Sequence, residues 1–167
     1  MIKTNAMRIL DSKKIKYNTY EYPHEEGVAV DGVTVANLLN QDVNRVFKTL
    51  VLASNDKKYY VAVVPVKAEL DLKICAKEFN VKSLEMIHVK DINSITGYTR
   101  GGCSPIGMKK VFPTIMDISA LDYDSIIFSG GLIGLQIEMN PKDLEKVIRI
   151  SFKNIRRWSY ASIRNWI

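Results

Sequence analysis

A lysine stands inside an apolar run at residues 46–53 (VFKTLVLA), a stretch dense in β-branched and large apolar side chains. Strand alternation places Val46, Lys48, Leu50 and Leu52 on one face, so Lys48 shares that face with core residues. Burying its ammonium with no partner costs on the order of several kcal/mol. The residues alone leave two readings open. Either the side chain snorkels to solvent at the strand end, or it lines a polar cavity and binds an anion or a polarised carbonyl.

Two glycine-rich segments are the next candidates. Residues 96–110 (TGYTRGGCSPIGMKK) carry Gly97, Gly101, Gly102 and Gly107, which let a backbone approach a ligand closely and present amides to it. A plain glycine turn is the competing reading. Gly102 and Gly107 have the spacing of an ATP-binding loop, but Met108 stands where its lysine is required and no Ser or Thr follows. Residues 129–138 (SGGLIGLQIE) read as a strand end, a Gly130–Gly131 turn and a returning strand. With no GxGxxG in the chain, the dinucleotide fingerprint is excluded.

Other chemistries find little support. His24 and His88 are the only histidines, and neither Ser104 nor Ser129 has an evident partner for a Ser-His-Asp triad. Cys75 and Cys103 lack any paired spacing, so neither a metal nor another cofactor is expected. Free thiols fit a reducing cytoplasm.

The elements that must position these residues follow from periodicity. Helices are expected at 5–12, 33–40, from 70 or 71 to 79, at 89–96 and at 141–148. Strands are expected at 15–21, 46–53, 59–66, 84–86, 114–117, 125–129 and 135–139, with a hairpin turn at 55–58 and a loop at 24–31. The order is irregular, which argues for an α+β fold, a mixed sheet or small barrel flanked by helices, and against a doubly wound sheet. At 167 residues, 47% hydrophobic and 25% charged, the chain reads as one globular domain. It has neither an apolar run long enough to span a membrane nor a signal-peptide core, so a cytoplasmic protein is expected. The net charge of +6 favours partners that carry phosphates. Half of that charge comes from Arg156, Arg157 and Arg164 in the closing segment 156–167 (RRWSYASIRNWI). Its interleaved arginines and aromatics fit RNA binding, and translated vector sequence fits as well.

Six segments together resemble the YbaK/EbsC family, the free-standing relatives of the editing domain of bacterial prolyl-tRNA synthetases. They are TYE at 19–21, VFKTLV at 46–51, PVKAELDLK at 65–73, TGYTRGGCSPIG at 96–107, PTIMD at 113–117 and SGGLIGLQIE at 129–138. The resemblance spans residues 4–155; the expected domain is 1–155, with 156–167 left as a tail. It implies a mixed barrel surrounded by helices.

The family's essential lysine falls on Lys48, with Thr49 beside it. Its pocket tyrosine falls on Tyr20, its substrate-contacting loop on Gly101 and Gly102, and its pocket serine on Ser129, followed by Gly130 and Gly131. Gln136 stands where close relatives carry an aspartate. An amide donates and accepts hydrogen bonds but is no base.

The implied activity is hydrolysis of cysteine from mischarged Cys-tRNA(Pro), and of Cys-tRNA(Cys) as a further substrate, with the substrate's own thiol as nucleophile. On this reading Lys48 and the Gly101–Gly102 amides orient the ester and the terminal adenosine, while Tyr20 and Ser129 hold the amino group or sugar hydroxyls. Cys103 is read as a packing thiol. Aminoacyl-tRNA is the implied partner, and prolyl-tRNA synthetase a second candidate. Two other readings stay open: an Ala-tRNA(Pro) deacylase, and a non-catalytic module that binds aminoacyl-tRNA or a synthetase.

Overall fold

The computed structural model describes residues 2–157. The first helix, α1 (Asn5–Ser12), forms where its apolar spacing places it. Thr4 caps it by accepting from the Met7 amide at 3.3 Å, and Ala6, Met7 and Leu10 are fully buried. β1 (Asn18–Glu21) is followed by the loop that leads to α2 (Gly32–Leu38), capped by Asp31. Asp42 caps a 3₁₀ turn at Val43–Arg45, and the hairpin of β2 (Phe47–Ser54) and β3 (Tyr59–Pro65) comes next.

The chain continues through β4 (Glu69–Leu70), α3 (Leu72–Glu78) capped by Asp71, β5 (Leu84–Met86), a 3₁₀ turn at Val89–Asp91 and α4 (Ile92–Thr96). Gly97 ends α4 at φ +85°, the left-handed conformation that suits a glycine. β6 (Thr114–Asp117), β7 (Ile126–Ser129), β8 (Leu135–Met139), β9 (Ile150–Lys153) and β10 (Arg156–Arg157) complete the order. Pro141–Lys146 is a 3₁₀ helix, shorter and tighter than the α-helix expected at 141–148.

Among the described residues the strands form three sheets. The largest has the order β5-β2-β3-β6-β9, antiparallel up to β3 and parallel from β3 to β9. A second, antiparallel sheet has the order β1-β8-β7, and β10 pairs with β4. The α+β mixed-sheet expectation therefore holds, and the small barrel, expected from the sequence and from the family resemblance, is corrected. No barrel closes, because a single bridge between Val46 and Ile127 joins the two larger sheets. Beyond it β2 and β7 part, and a cavity occupies the gap that a continued ladder would have closed.

Both faces of the large sheet are covered, which explains the nearly unbroken apolar runs of β2 and β3. On one face Phe47, Val61, Val63 and Met116 pack with Phe128, Ile137 and the buried side of α1. On the other, Leu52, Ala62, Val64 and Ile115 pack with Cys75 and Ala76 of α3 and with Ile155. Asp117, wholly buried, ties the chain end to this frame. It accepts from the Ile155 and Ser119 amides, each at 3.1 Å, and pairs with Arg156. Trp158 and Trp166 of the closing segment lie outside the described residues.

Candidate active site

Where β2 and β7 separate, a cavity of about 140 Å³ is lined by Lys48, Thr49, Gly101, Ser129 and Gln136. Five sequence candidates, from β2, the glycine loop, β7 and β8, thus meet at one hollow. Side chains including Tyr22, Val35, Val66, Phe128 and Leu135 supply much of the rest of its wall.

Two of the lining groups have no protein partner among the described residues. Lys48 is half-buried, and among the described residues its ammonium makes no hydrogen bond and no ion pair. Burial lowers its pKa below the ordinary 10.5, and the more distant charge of Glu69 opposes that shift only in part. Glu69 itself is paired with Arg157 at 3.1 Å. Beside Lys48, Thr49 Oγ1 is buried and unbonded. Buried polar atoms are nearly always satisfied, so an unmet hydroxyl next to an unmet ammonium marks a place where a ligand's polar atoms fit.

The glycines divide into one that lines the cavity and three that hold it. Gly101 adopts φ +82°, and a Cβ there would stand 2.7 Å from Ala29 Cβ. Its amide has no hydrogen-bond acceptor among the described residues and is free to donate. The Gly102 amide is used within its own turn, donating to Thr99 O at 2.9 Å. A Cβ on Gly102 would lie 2.9 Å from Ile133 N, so the glycine loop and the β7–β8 turn pack backbone against backbone. Gly130 and Gly131 also spend their amides internally, on Leu135 O at 2.9 Å and Ser129 Oγ at 3.2 Å.

Tyr20 stands opposite Gln136 in the β1–β8 register, behind the cavity wall. Its hydroxyl donates to Glu138 Oε1 at 2.6 Å, and Glu138 Oε2 accepts from Ser125 Oγ at 2.7 Å and pairs with Arg45 at 3.0 Å. Burial alone would raise the Glu138 carboxyl, but the two hydroxyls and the guanidinium outweigh it and hold the pKa below its ordinary value. Two residues further on, Tyr22 takes the place in the wall. Gln136 Oε1 accepts from Gln41 Nε2 at 2.8 Å, leaving the Gln136 amide NH₂ without a protein partner among the described residues. Cys103 also lines the cavity, and burial pushes its thiol up to about 11, so at neutral pH it is protonated.

Sequence reasoning passed over Tyr22, Gln41 and the Arg45–Glu138 pair. Tyr22 carried a signal, since it shares the alternation of Tyr20. Gln41, just beyond α2, carried none.

An α+β domain with a small pocket, an unpaired lysine on its wall and a glycine turn at its edge is the class of site these elements define. A family model, the aminoacyl-tRNA editing domain, matches residues 27–147, and this chain belongs to that family. A relative from Enterococcus faecalis (strain ATCC 700802 / V583) is 44% identical over 153 residues, covering 92% of this chain and 93% of its own length. It is named "Putative Cys-tRNA(Pro)/Cys-tRNA(Cys) deacylase EbsC". Two solved structures share the fold at low identity. One, described as a "putative trans-editing enzyme for prolyl tRNA synthetase", has TM-score 0.77 and 20% identity, covering 94% of this chain and 99% of its own. The other, "hypothetical protein APE2540", has TM-score 0.81 and 16% identity, covering 92% and 100%.

Proposed function

We propose that this protein hydrolyses the ester of mischarged aminoacyl-tRNA, with Cys-tRNA(Pro) as the principal substrate and Cys-tRNA(Cys) as a second. The observation that carries the proposal is the pairing of Lys48 with Thr49, two groups without protein partners among the described residues, in a cavity edged by Gly101. The 44% identical relative named for the same two substrates supports the choice of cysteine. So does the volume of about 140 Å³, which suits a small aminoacyl group.

The chemistry asks little of the protein beyond placement. An aminoacyl ester is already a reactive acyl group, and orienting it contributes several kcal/mol, within the roughly 7–11 kcal/mol that ideal proximity supplies. In the proposed step the substrate's thiol sulfur attacks its own ester carbonyl carbon. The C–S bond forms, the bond from that carbon to the ribose oxygen breaks, and the thiol proton passes to the departing oxygen. Water then opens the cyclic thioester to free cysteine.

The Lys48 ammonium and the Gly101 amide face the charge that develops on the ester oxygen. Ser129 and the Gln136 amide hold the amino group and the sugar hydroxyls. Tyr20 acts from behind by fixing Glu138, and with it the strand that carries Gln136. The enzyme would work in the cytoplasm, on tRNA released by prolyl-tRNA synthetase.

The test is incubation of the purified protein with Cys-tRNA(Pro) and Ala-tRNA(Pro), measuring release of the amino acid. Release of cysteine is the expected result. Release of alanine alone overturns the substrate assignment, and binding without release overturns the enzymatic one.

A further inference from the structure

Charge in the cavity has one sign. Among the described residues that line it, Lys48 alone carries a charge, and the Cys103 thiol is protonated. The acids on the surrounding elements are engaged elsewhere or turned away. On β4, Glu69 is paired with Arg157 at 3.1 Å. Further along β8, Glu138 serves Tyr20, Ser125 and Arg45. Ahead of α2, Asp31 accepts from Thr34 N at 2.9 Å and Thr34 Oγ1 at 2.7 Å. Glu21 of β1 alternates away from Tyr22 and lies outside the lining. The exposed chain neighbours of Val66 and Gly101 are Lys67 and Arg100, two further cations.

The amide of Gln136 is oriented as well as neutral. Its carbonyl oxygen accepts from Gln41 Nε2 at 2.8 Å, so the group left for a ligand is the NH₂, a donor. Gln136 is only 5% exposed, which leaves the side chain little room to turn. An ammonium has donors and no acceptor, whereas an uncharged amine offers a lone pair. Beside Lys48 an ammonium also meets a like charge.

We infer that the cavity takes the acyl group of its substrate with the α-amino group uncharged, and that Gln41 sets this preference by holding the Gln136 amide as a donor. This rests on the proposed aminoacyl ester substrate. An α-amine titrates at about 7.7–8.0, and the electron-withdrawing ester lowers that value, so the uncharged form is abundant near neutrality. Gln41 is thus a positioning residue, acting through Gln136.

Two inert mimics of the charged tRNA end isolate the amine. In 3′-deoxy-3′-(2-aminobutyrylamino)adenosine a methyl group replaces the thiol, and 3′-deoxy-3′-(butyrylamino)adenosine lacks the amine. Calorimetry on the intact protein gives their affinities at pH 6.5 and 8.5. The aminobutyryl compound should bind roughly fifteen- to twenty-five-fold more weakly at pH 6.5, the ratio of uncharged amine at the two pH values. The butyryl compound should bind alike at both. Gln136→Glu, which keeps an acceptor for Gln41 and adds a carboxylate, should abolish the loss at pH 6.5. Gln41→Leu, which frees the Gln136 amide to turn, should reduce it to a few-fold.

An aminobutyryl affinity that is equal at the two pH values, or tighter at pH 6.5, overturns the inference and leaves the cavity reading standing. A loss shared by both mimics belongs to a protein group and overturns it too. A full loss that persists in Gln41→Leu overturns the role of Gln41. Failure of both mimics to bind the wild type at either pH overturns the inference and the cavity reading together.

Discussion

Gln41 donates from its side-chain amide to Gln136 Oε1 at 2.8 Å, and Gln41 Oε1 is then left buried with no partner among the described residues. Position 136 is thus part of a neutral amide pair. Gln136→Leu should strand the second amide as well and destabilise the fold by about 1–3 kcal/mol, the cost of an unsatisfied buried polar group. Urea unfolding measures it. An unchanged midpoint would show that the pair contributes nothing to the wall.

Lys48 gives a prediction with a definite sign. Its pKa is lowered in the folded state by burial, so at neutral pH the unfolded chain holds the proton more favourably than the native one. Lys48→Met should therefore raise stability at pH 7. The difference should shrink as pH rises through the depressed folded value toward the ordinary 10.5, above which neither state is charged. Denaturation of both proteins across pH 7–10.5 checks this. A wild type more stable than the variant at pH 7 contradicts it.

Glu138 should behave in the opposite sense. Its folded pKa lies below the ordinary 4.5, so the stability it contributes is fully present above pH 4.5 and is lost as pH falls through the folded value. Glu138→Gln leaves Arg45 half-buried without its charge partner and should cost about 1–3 kcal/mol at pH 7. The variant should also show a flatter acid limb in the same unfolding series. An identical acid limb in the two proteins would place the pH dependence elsewhere.

At the glycine loop, Gly101→Ala forces a Cβ onto a residue at φ +82° and to 2.7 Å from Ala29 Cβ. Backbone strain of this kind costs about 1–3 kcal/mol. Combination with Ala29→Gly should recover the steric part and not the conformational part. Thermal melts of the single and double variants separate the two contributions, and a fully rescued double variant would show that the φ angle is no constraint.

Cys103, although it lines the cavity, should be dispensable for the chemistry. Its thiol is protonated at neutral pH, and the proposed nucleophile belongs to the substrate. Cys103→Ala should keep most of the deacylation rate, whereas loss of a true nucleophile costs on the order of a million-fold.

Much of this was legible in the chain. The spacing of Ala6, Met7 and Leu10 marked α1, and the apolar run of β2 marked a buried strand. The lysine in that run stood out because its cost in a core is large. What stayed hidden depends on partners distant in sequence. β4 and β10 are two residues each and exist only because they pair with one another, and β9 is a strand by virtue of β6. Tyr20 was expected in the pocket, but it stands behind the wall with its hydroxyl claimed by Glu138, 118 positions away, and no local pattern announces that bond. Among the described residues the two larger sheets meet at the Val46–Ile127 bridge, and local periodicity carries no trace of where such a junction falls.

The central claim is that the Lys48 ammonium acts on the ester in the cavity. Single-turnover hydrolysis of Cys-tRNA(Pro), comparing the wild type with Lys48→Ala, tests it most directly. The variant should fold, bind the tRNA body nearly unchanged, and lose about a hundred-fold or more in rate, as when one preorganised donor to a developing oxyanion is removed. Equal rates in the two proteins would contradict the account.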